Sequence, residues 1–119
     1  MELLTQLTHK KIPENEIAGN LITKFKDIVY AYDCNAEIVL FGSRARGDWH
    51  KESDWDFLIL TDINVNEKFK DELRNKILRE IEAHLGESVF VIVKNKIEWE
   101  DDYAVTNIYQ SISEEGIAV

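Results

Sequence analysis

The sequence predicts an α+β fold, a small mixed β-sheet with helices packed on one face. Two long stretches carry apolar residues at helical spacing, and three short runs are rich in β-branched and aromatic residues. No Gly/Ser linker or internal repeat interrupts their alternation. At 119 residues there is material for one core, so 1–119 is expected to be a single domain, with 1–12 as a mobile N-terminal segment. With 45% hydrophobic and 31% charged residues, five Gly and one Pro, a disordered or collagen-like chain is excluded.

The elements follow in order. After Pro13, the apolar positions Ile17, Leu21, Ile22, Phe25, Ile28, Val29 and Tyr32 predict a helix over about 14–32, with Asn15 as its cap. The run Glu37-Ile-Val-Leu-Phe41, stopped by Gly42, predicts a buried strand. Asp54-Trp-Asp-Phe-Leu-Ile-Leu60 predicts a second. On it Asp54, Asp56, Leu58 and Leu60 share one face, and Trp55, Phe57 and Ile59 take the other. Phe69, Leu73, Ile77, Ile81 and Leu85 are spaced by four and precede Gly86, which predicts a long helix over about 67–85. Val89-Phe-Val-Ile-Val93 predicts a third strand, and a last helix is expected from Glu98 to about Ser113 before Gly116. Nothing between Phe41 and Asp54 resembles a full crossover helix, so the first two strands need not be parallel. With the two long helices over Trp55, Phe57 and Ile59, the Asp54 and Asp56 face is expected to stay comparatively open.

Charge narrows the function. Acidic residues outnumber basic ones 23 to 14, a net charge of −9, which argues against broad nucleic-acid binding. Residues 97–119 contribute −6 of this and contain no Lys or Arg, while residues 1–96 contribute −3. The acidic stretch reads either as a solvated helix face and tail or as a surface for a basic protein partner. The single Cys34 excludes an internal disulfide framework and fits a reducing compartment. No signal peptide or membrane-length apolar run is visible in the sequence, so no membrane is expected and the cytoplasm is the expected location.

The chemistry is concentrated between Phe41 and Phe57. Gly42 removes a side chain where a strand ends, and Ser43 offers a hydroxyl and an amide at the start of a helical turn, an arrangement suited to a phosphate. Asp54 and Asp56, at i and i+2 on a strand, place two hard oxygen donors side by side, as one or two magnesium ions require when they also bind triphosphate oxygens. Each half is a common turn or strand edge by itself. Together, with ten residues between the Gly-Ser turn and the Asp pair, they point to phosphoryl or nucleotidyl transfer.

Over about Val39 to Leu60 the sequence resembles the minimal nucleotidyltransferases of the DNA polymerase beta superfamily, in which a Gly-Ser motif is followed by Asp-x-Asp. The resemblance implies the polymerase beta-like nucleotidyltransferase fold. It also implies transfer of a nucleoside monophosphate from a nucleoside triphosphate, ATP being the expected one, to a hydroxyl or phosphate acceptor, with Mg2+ and release of pyrophosphate. By that resemblance Gly42 and Ser43 would hold the triphosphate, and Asp54 and Asp56 would be the catalytic, metal-binding pair. Arg44 and Arg46 fall in variable positions of the motif and either assist the phosphates or are surface residues. The family usually supplies a third carboxylate from a later strand. Here the matching position is Phe90, expected to pack in the core, with Glu87, Ser88 or Asp62 as substitutes in another register.

Three functions remain open on the sequence: a magnesium-dependent nucleotidyltransferase, an antitoxin-like protein that pairs with a helical RNase toxin, and a catalytically degenerate nucleotide-binding module. The short chain has no separate acceptor-binding domain, so a protein partner or homo-oligomer is expected to complete the site. Trp55 is expected in the core, Trp99 as an anchor for the last helix, and Trp49 as a loop aromatic able to stack on a base. His9, His50 and His84 form no ligand spacing.

Overall fold

Short connections and one long crossover decide how the strands pair. The computed structural model describes residues 16–119, and of Glu16 and Ile17 only the backbone; the expected cap Asn15 and the segment 1–12 lie outside the described residues. Helix α1 spans Glu16–Tyr32, strand β1 Glu37–Phe41, the single turn α2 Ser43–Arg46 and strand β2 Trp55–Thr61. Helix α3, Glu67–Ile77, runs through a π turn at Leu78–Glu82 into α4, Ala83–Leu85, and strand β3 spans Val89–Asn95. Helices α5, Lys96–Asp102, and α6, Asn107–Glu115, lead to the two-residue strand β4, Ile117–Ala118.

The sheet order is β3-β2-β1-β4. The connection from β1 to β2 holds one helical turn, too little to carry the chain across the sheet, and the two strands pair antiparallel. The α3–α4 crossover is long enough to return the chain in the same direction, and β3 lies parallel to β2. The expected mixed sheet of an α+β fold is therefore present, with one strand more than the sequence suggested. Strand β4 pairs antiparallel with β1 through Val39 and Leu40. Two residues give too little periodicity to be visible in sequence.

Alternation along the strands makes two cores. On one face α1 and α3 cover Ile38, Leu40, Trp55, Phe57 and Ile59, as expected, with Phe25 and Phe57 stacked at 4.0 Å. On the other face Val39, Leu58 and Leu60 are buried under Trp99 and Ile112, from α5 and α6. The Asp54 and Asp56 face is thus open only at its aspartate end, because the acidic C-terminal segment is not a free tail but covers the rest.

That segment also corrects the expected helix over 98–113. It is two helices, broken at Tyr103–Thr106. Thr106 restarts the chain: its hydroxyl donates to the Tyr103 carbonyl and accepts from Tyr109 N at 3.2 Å, an N-cap that competes with continuing the helix. The break folds α6 back so that Tyr109 and Tyr103 both pack on the fully buried Trp99 ring. The second long helix matches its expected span, ending at Gly86 with φ 70, and is capped at Asn66 by a bond from Phe69 N. Its π turn carries no sequence signal.

Candidate active site

The carbonyl end of β1 and the start of β2 are placed side by side by their register, with Phe41 opposite Asp56. Gly42 follows at once with φ 73, a left-handed conformation that favours glycine. Its carbonyl accepts from Ala45 N and Arg46 N, which starts the α2 turn. A Cβ on Gly42 would overlap the Asp56 carboxylate, so the turn and the carboxylate are in close approach. Among the described residues the Ser43 hydroxyl makes no hydrogen bond, and it stands at the head of that turn.

Asp54 is exposed, one residue before β2, and Asp56 is half-buried on it. Burial and the neighbouring Asp54 carboxylate push the Asp56 carboxyl above its ordinary value, Glu115 adds to this, and Arg46 opposes it. Arg46 is paired on both sides: its Nη1 meets Glu115 Oε1 at 3.1 Å and its Nε meets Asp48 at 3.3 Å. Glu115, at the end of α6, is a neighbour of the site that sequence reasoning missed. Its position depends on the fold-back of α6, which has no local signal.

Arg44 does not join this group. It is 5% exposed, with its guanidinium between the Trp49 and Trp55 rings at 4.3 and 4.5 Å. Its Nη2 donates to the Ser53 carbonyl at 3.0 Å and pairs with Glu87 at 3.6 Å. Arg44 therefore ties down the loop that delivers Asp54, and Trp49 is spent on covering it. The nearby pair of tryptophans was the available signal for this role.

The register on β3 is decisive for the third position. Phe90 pairs with Asp56 and shares its face, and it is 45% exposed rather than packed in the core, which corrects the expectation. None of the substitutes takes its place. Glu87 receives a hydrogen bond from Trp55 Nε1 and faces Arg44, and the Ser88 carbonyl accepts from Trp55 N. Asp62 follows the far end of β2, paired with Lys96 at 3.3 Å.

The Asp56 carboxylate in close approach to the Gly42 turn, with Asp54 two residues before it on the chain, makes a site with excess negative charge beside an unshared Ser43 hydroxyl. Among the described residues no cluster of three metal-ligating side chains exists. Magnesium fits such a set, since it is commonly held by one or two carboxylates with substrate phosphates and water as the remaining ligands.

The family model for the nucleotidyltransferase domain matches residues 20–119, nearly the whole chain. The chain belongs to the nucleotidyltransferase domain family. The match includes both halves of the site, and the four-stranded mixed sheet is a nucleotidyltransferase fold. Among solved structures, a toxin–antitoxin crystal structure with AMP-PNP is similar at 22% identity and a TM-score of 0.58, covering 83% of this chain and 69% of that one. A crystal structure of a candidate nucleotidyltransferase from Sulfolobus solfataricus is 20% identical with a TM-score of 0.48, covering 91% and 90%. No curated protein matches. Among the described residues of this nucleotidyltransferase domain, no helix is long and apolar enough to cross a membrane.

Proposed function

We propose that this protein is a magnesium-dependent nucleotidyltransferase that moves a nucleoside monophosphate from a nucleoside triphosphate, ATP being the expected donor, to an acceptor. What carries the reading is the close approach of the Asp56 carboxylate to the Gly42 turn that Ser43 begins, which supports a cation and phosphates being held side by side there. Ser43 and the turn would hold the β- and γ-phosphates, and Asp54 with Asp56 would hold the magnesium ion. Arg46, held in place by Glu115 and Asp48, would compensate triphosphate charge. Arg44 keeps the Asp54 loop fixed, so that the acceptor oxygen meets the α-phosphorus in line with the departing pyrophosphate. Magnesium, when bound, neutralises developing charge on the phosphates and lowers the pKa of an acceptor hydroxyl.

A second reading rests on Phe90. An exposed aromatic beside Asp56 leaves no carboxylate on β3 to act as base, which favours a nucleotide-binding protein without turnover, including one that works by pairing with a protein as in the toxin–antitoxin structure of the same fold. One experiment separates the two. Titration calorimetry with ATP and Mg2+ is expected to show binding, followed by pyrophosphate release and a mass increase of one nucleoside monophosphate on the acceptor. Binding without pyrophosphate supports the second reading, and no binding in the presence of Mg2+ overturns both.

A further inference from the structure

The open edge of the sheet carries features that the nucleotide site does not use. β3 is the outermost strand, and among the described residues no strand pairs with its free side. From Val89 to Val93 it has neither charge nor proline, the residues that ordinarily protect an edge from pairing. Between this edge and α3 lies a groove of about 350 Å³ with Leu73, Ile77 and Val91 among its lining. Apolar side chains stand exposed on both sides of the strand: Leu78, on the π turn, is 51% exposed, and Phe90, on the opposite face of the sheet, is 45% exposed.

The groove is rimmed by Lys70, Arg74, Leu78 and Glu82, each four residues after the last, a single stripe along α3 and its π turn. The π turn, closed by a bond from Ala83 N to the Leu78 carbonyl, is an uncommon device that concentrates at functional positions. Basic residues precede Leu78 on the stripe and an acidic one follows it. Such a stripe is complementary to itself when reversed. An antiparallel copy sets Arg74 against Glu82 of the second copy, and Glu82 against Arg74, with the two Leu78 side chains meeting at the axis. Glu82 Oε1 already accepts from Val89 N at 3.0 Å, which leaves Oε2 for this contact. The same two-fold axis lets two β3 strands approach antiparallel and pair their free edges.

We propose that the β3 edge and the α3 stripe form an isologous interface with a second copy of this chain, centred on Leu78 and set in register by the Arg74 and Glu82 contacts. The interface uses neither Asp54 nor Asp56, so it stands or falls independently of the nucleotide chemistry.

The test is the mass of the full chain in solution, by light scattering and sedimentation over a range of concentrations. A dimer is expected. Arg74→Glu sets acid against acid and Glu82→Arg sets base against base, and each raises the dimer dissociation constant about tenfold or more. Mixing the two variants restores opposite charges at both contacts, and a heterodimer is expected from proteins that pair poorly with themselves. Leu78→Asp weakens the dimer as well. Glu82→Arg loses the bond to Val89, so circular dichroism checks folding, and Arg74→Glu with Leu78→Asp carry the test if that variant is unfolded. A protein that is monomeric at every concentration overturns the proposal, including one that instead takes up a strand from a different protein. A dimer that neither Arg74→Glu nor Leu78→Asp weakens overturns it too.

Discussion

Asp56 is held where a carboxylate is least comfortable without a cation. Burial and Asp54 raise its pKa, so the folded chain holds that proton to a higher pH than the unfolded chain does. The sign follows: stability contributed by the protonated form is present at low pH and is lost as pH rises through the raised value. At neutral pH the charged carboxylate destabilises the ligand-free protein. Asp56→Asn is therefore expected to raise the melting temperature without ligand while abolishing Mg2+-dependent nucleotide binding, both readable in one thermal-shift experiment with and without ATP and Mg2+. Gly42→Ala also loses binding but has the opposite effect on stability. The added Cβ overlaps the Asp56 carboxylate at a positive φ, and a loss of about 1–3 kcal/mol in denaturant unfolding is expected together with loss of binding. At this scale the sequence was most legible where chemistry is local. Gly42, Ser43, Asp54 and Asp56 stand out by type and spacing, whereas Arg44 and Arg46, two residues apart on one turn, differ only through what the fold brings to them. Arg44 meets two indoles and a carbonyl, and Arg46 meets Glu115.

Elements are joined by contacts that sequence spacing does not reveal. Asp33, just after α1, accepts a hydrogen bond from the hydroxyl of the fully buried Thr61 at the end of β2, and that bond holds its carboxyl below the ordinary value. A lowered carboxylate contributes stability above its unfolded pKa that is lost as pH falls through the folded one. Thr61→Val removes the donor, so Asp33 returns toward its ordinary value and acid unfolding, followed by circular dichroism, is expected to begin at higher pH. Gly116 is a second joint. A Cβ there would meet the Ile112 carbonyl at 2.5 Å and Val39 Cγ1 at 2.7 Å, where α6 turns into β4. Gly116→Ala is expected to cost about 1–3 kcal/mol in chemical denaturation, as overpacking usually does. The long helices were legible because fifteen or more residues of period four outweigh any local exception. The split of α5 from α6 was not, because Thr106 reads as an ordinary helical position until Tyr103 and Tyr109 are seen to share the Trp99 ring.

Across the whole molecule, the proposed triphosphate ligand is acidic and so is the protein. The net charge is −9, and Glu115 brings the acidic C-terminal segment to the edge of the site, offset there by Arg46. Triphosphate binding is thus expected to depend on the cation: with Mg2+ removed by a chelator, the dissociation constant for ATP measured by calorimetry rises about tenfold or more. What the sequence alone determined is the set of features written in short range. These are the helix and strand periods, the glycine stops, and the Gly-Ser and Asp-x-Asp pattern that resembles the family to which the chain belongs. Tertiary structure alone decided which distant groups meet: Glu115 near Asp56, an exposed Phe90 in its register, the second core under Trp99, and the groove between α3 and the open β3 edge. The physical reason is one of range. Periodicity and turn chemistry act over a few residues and leave a mark in sequence, whereas strand register and the fold-back of α6 are set by burying apolar area between segments far apart in the chain.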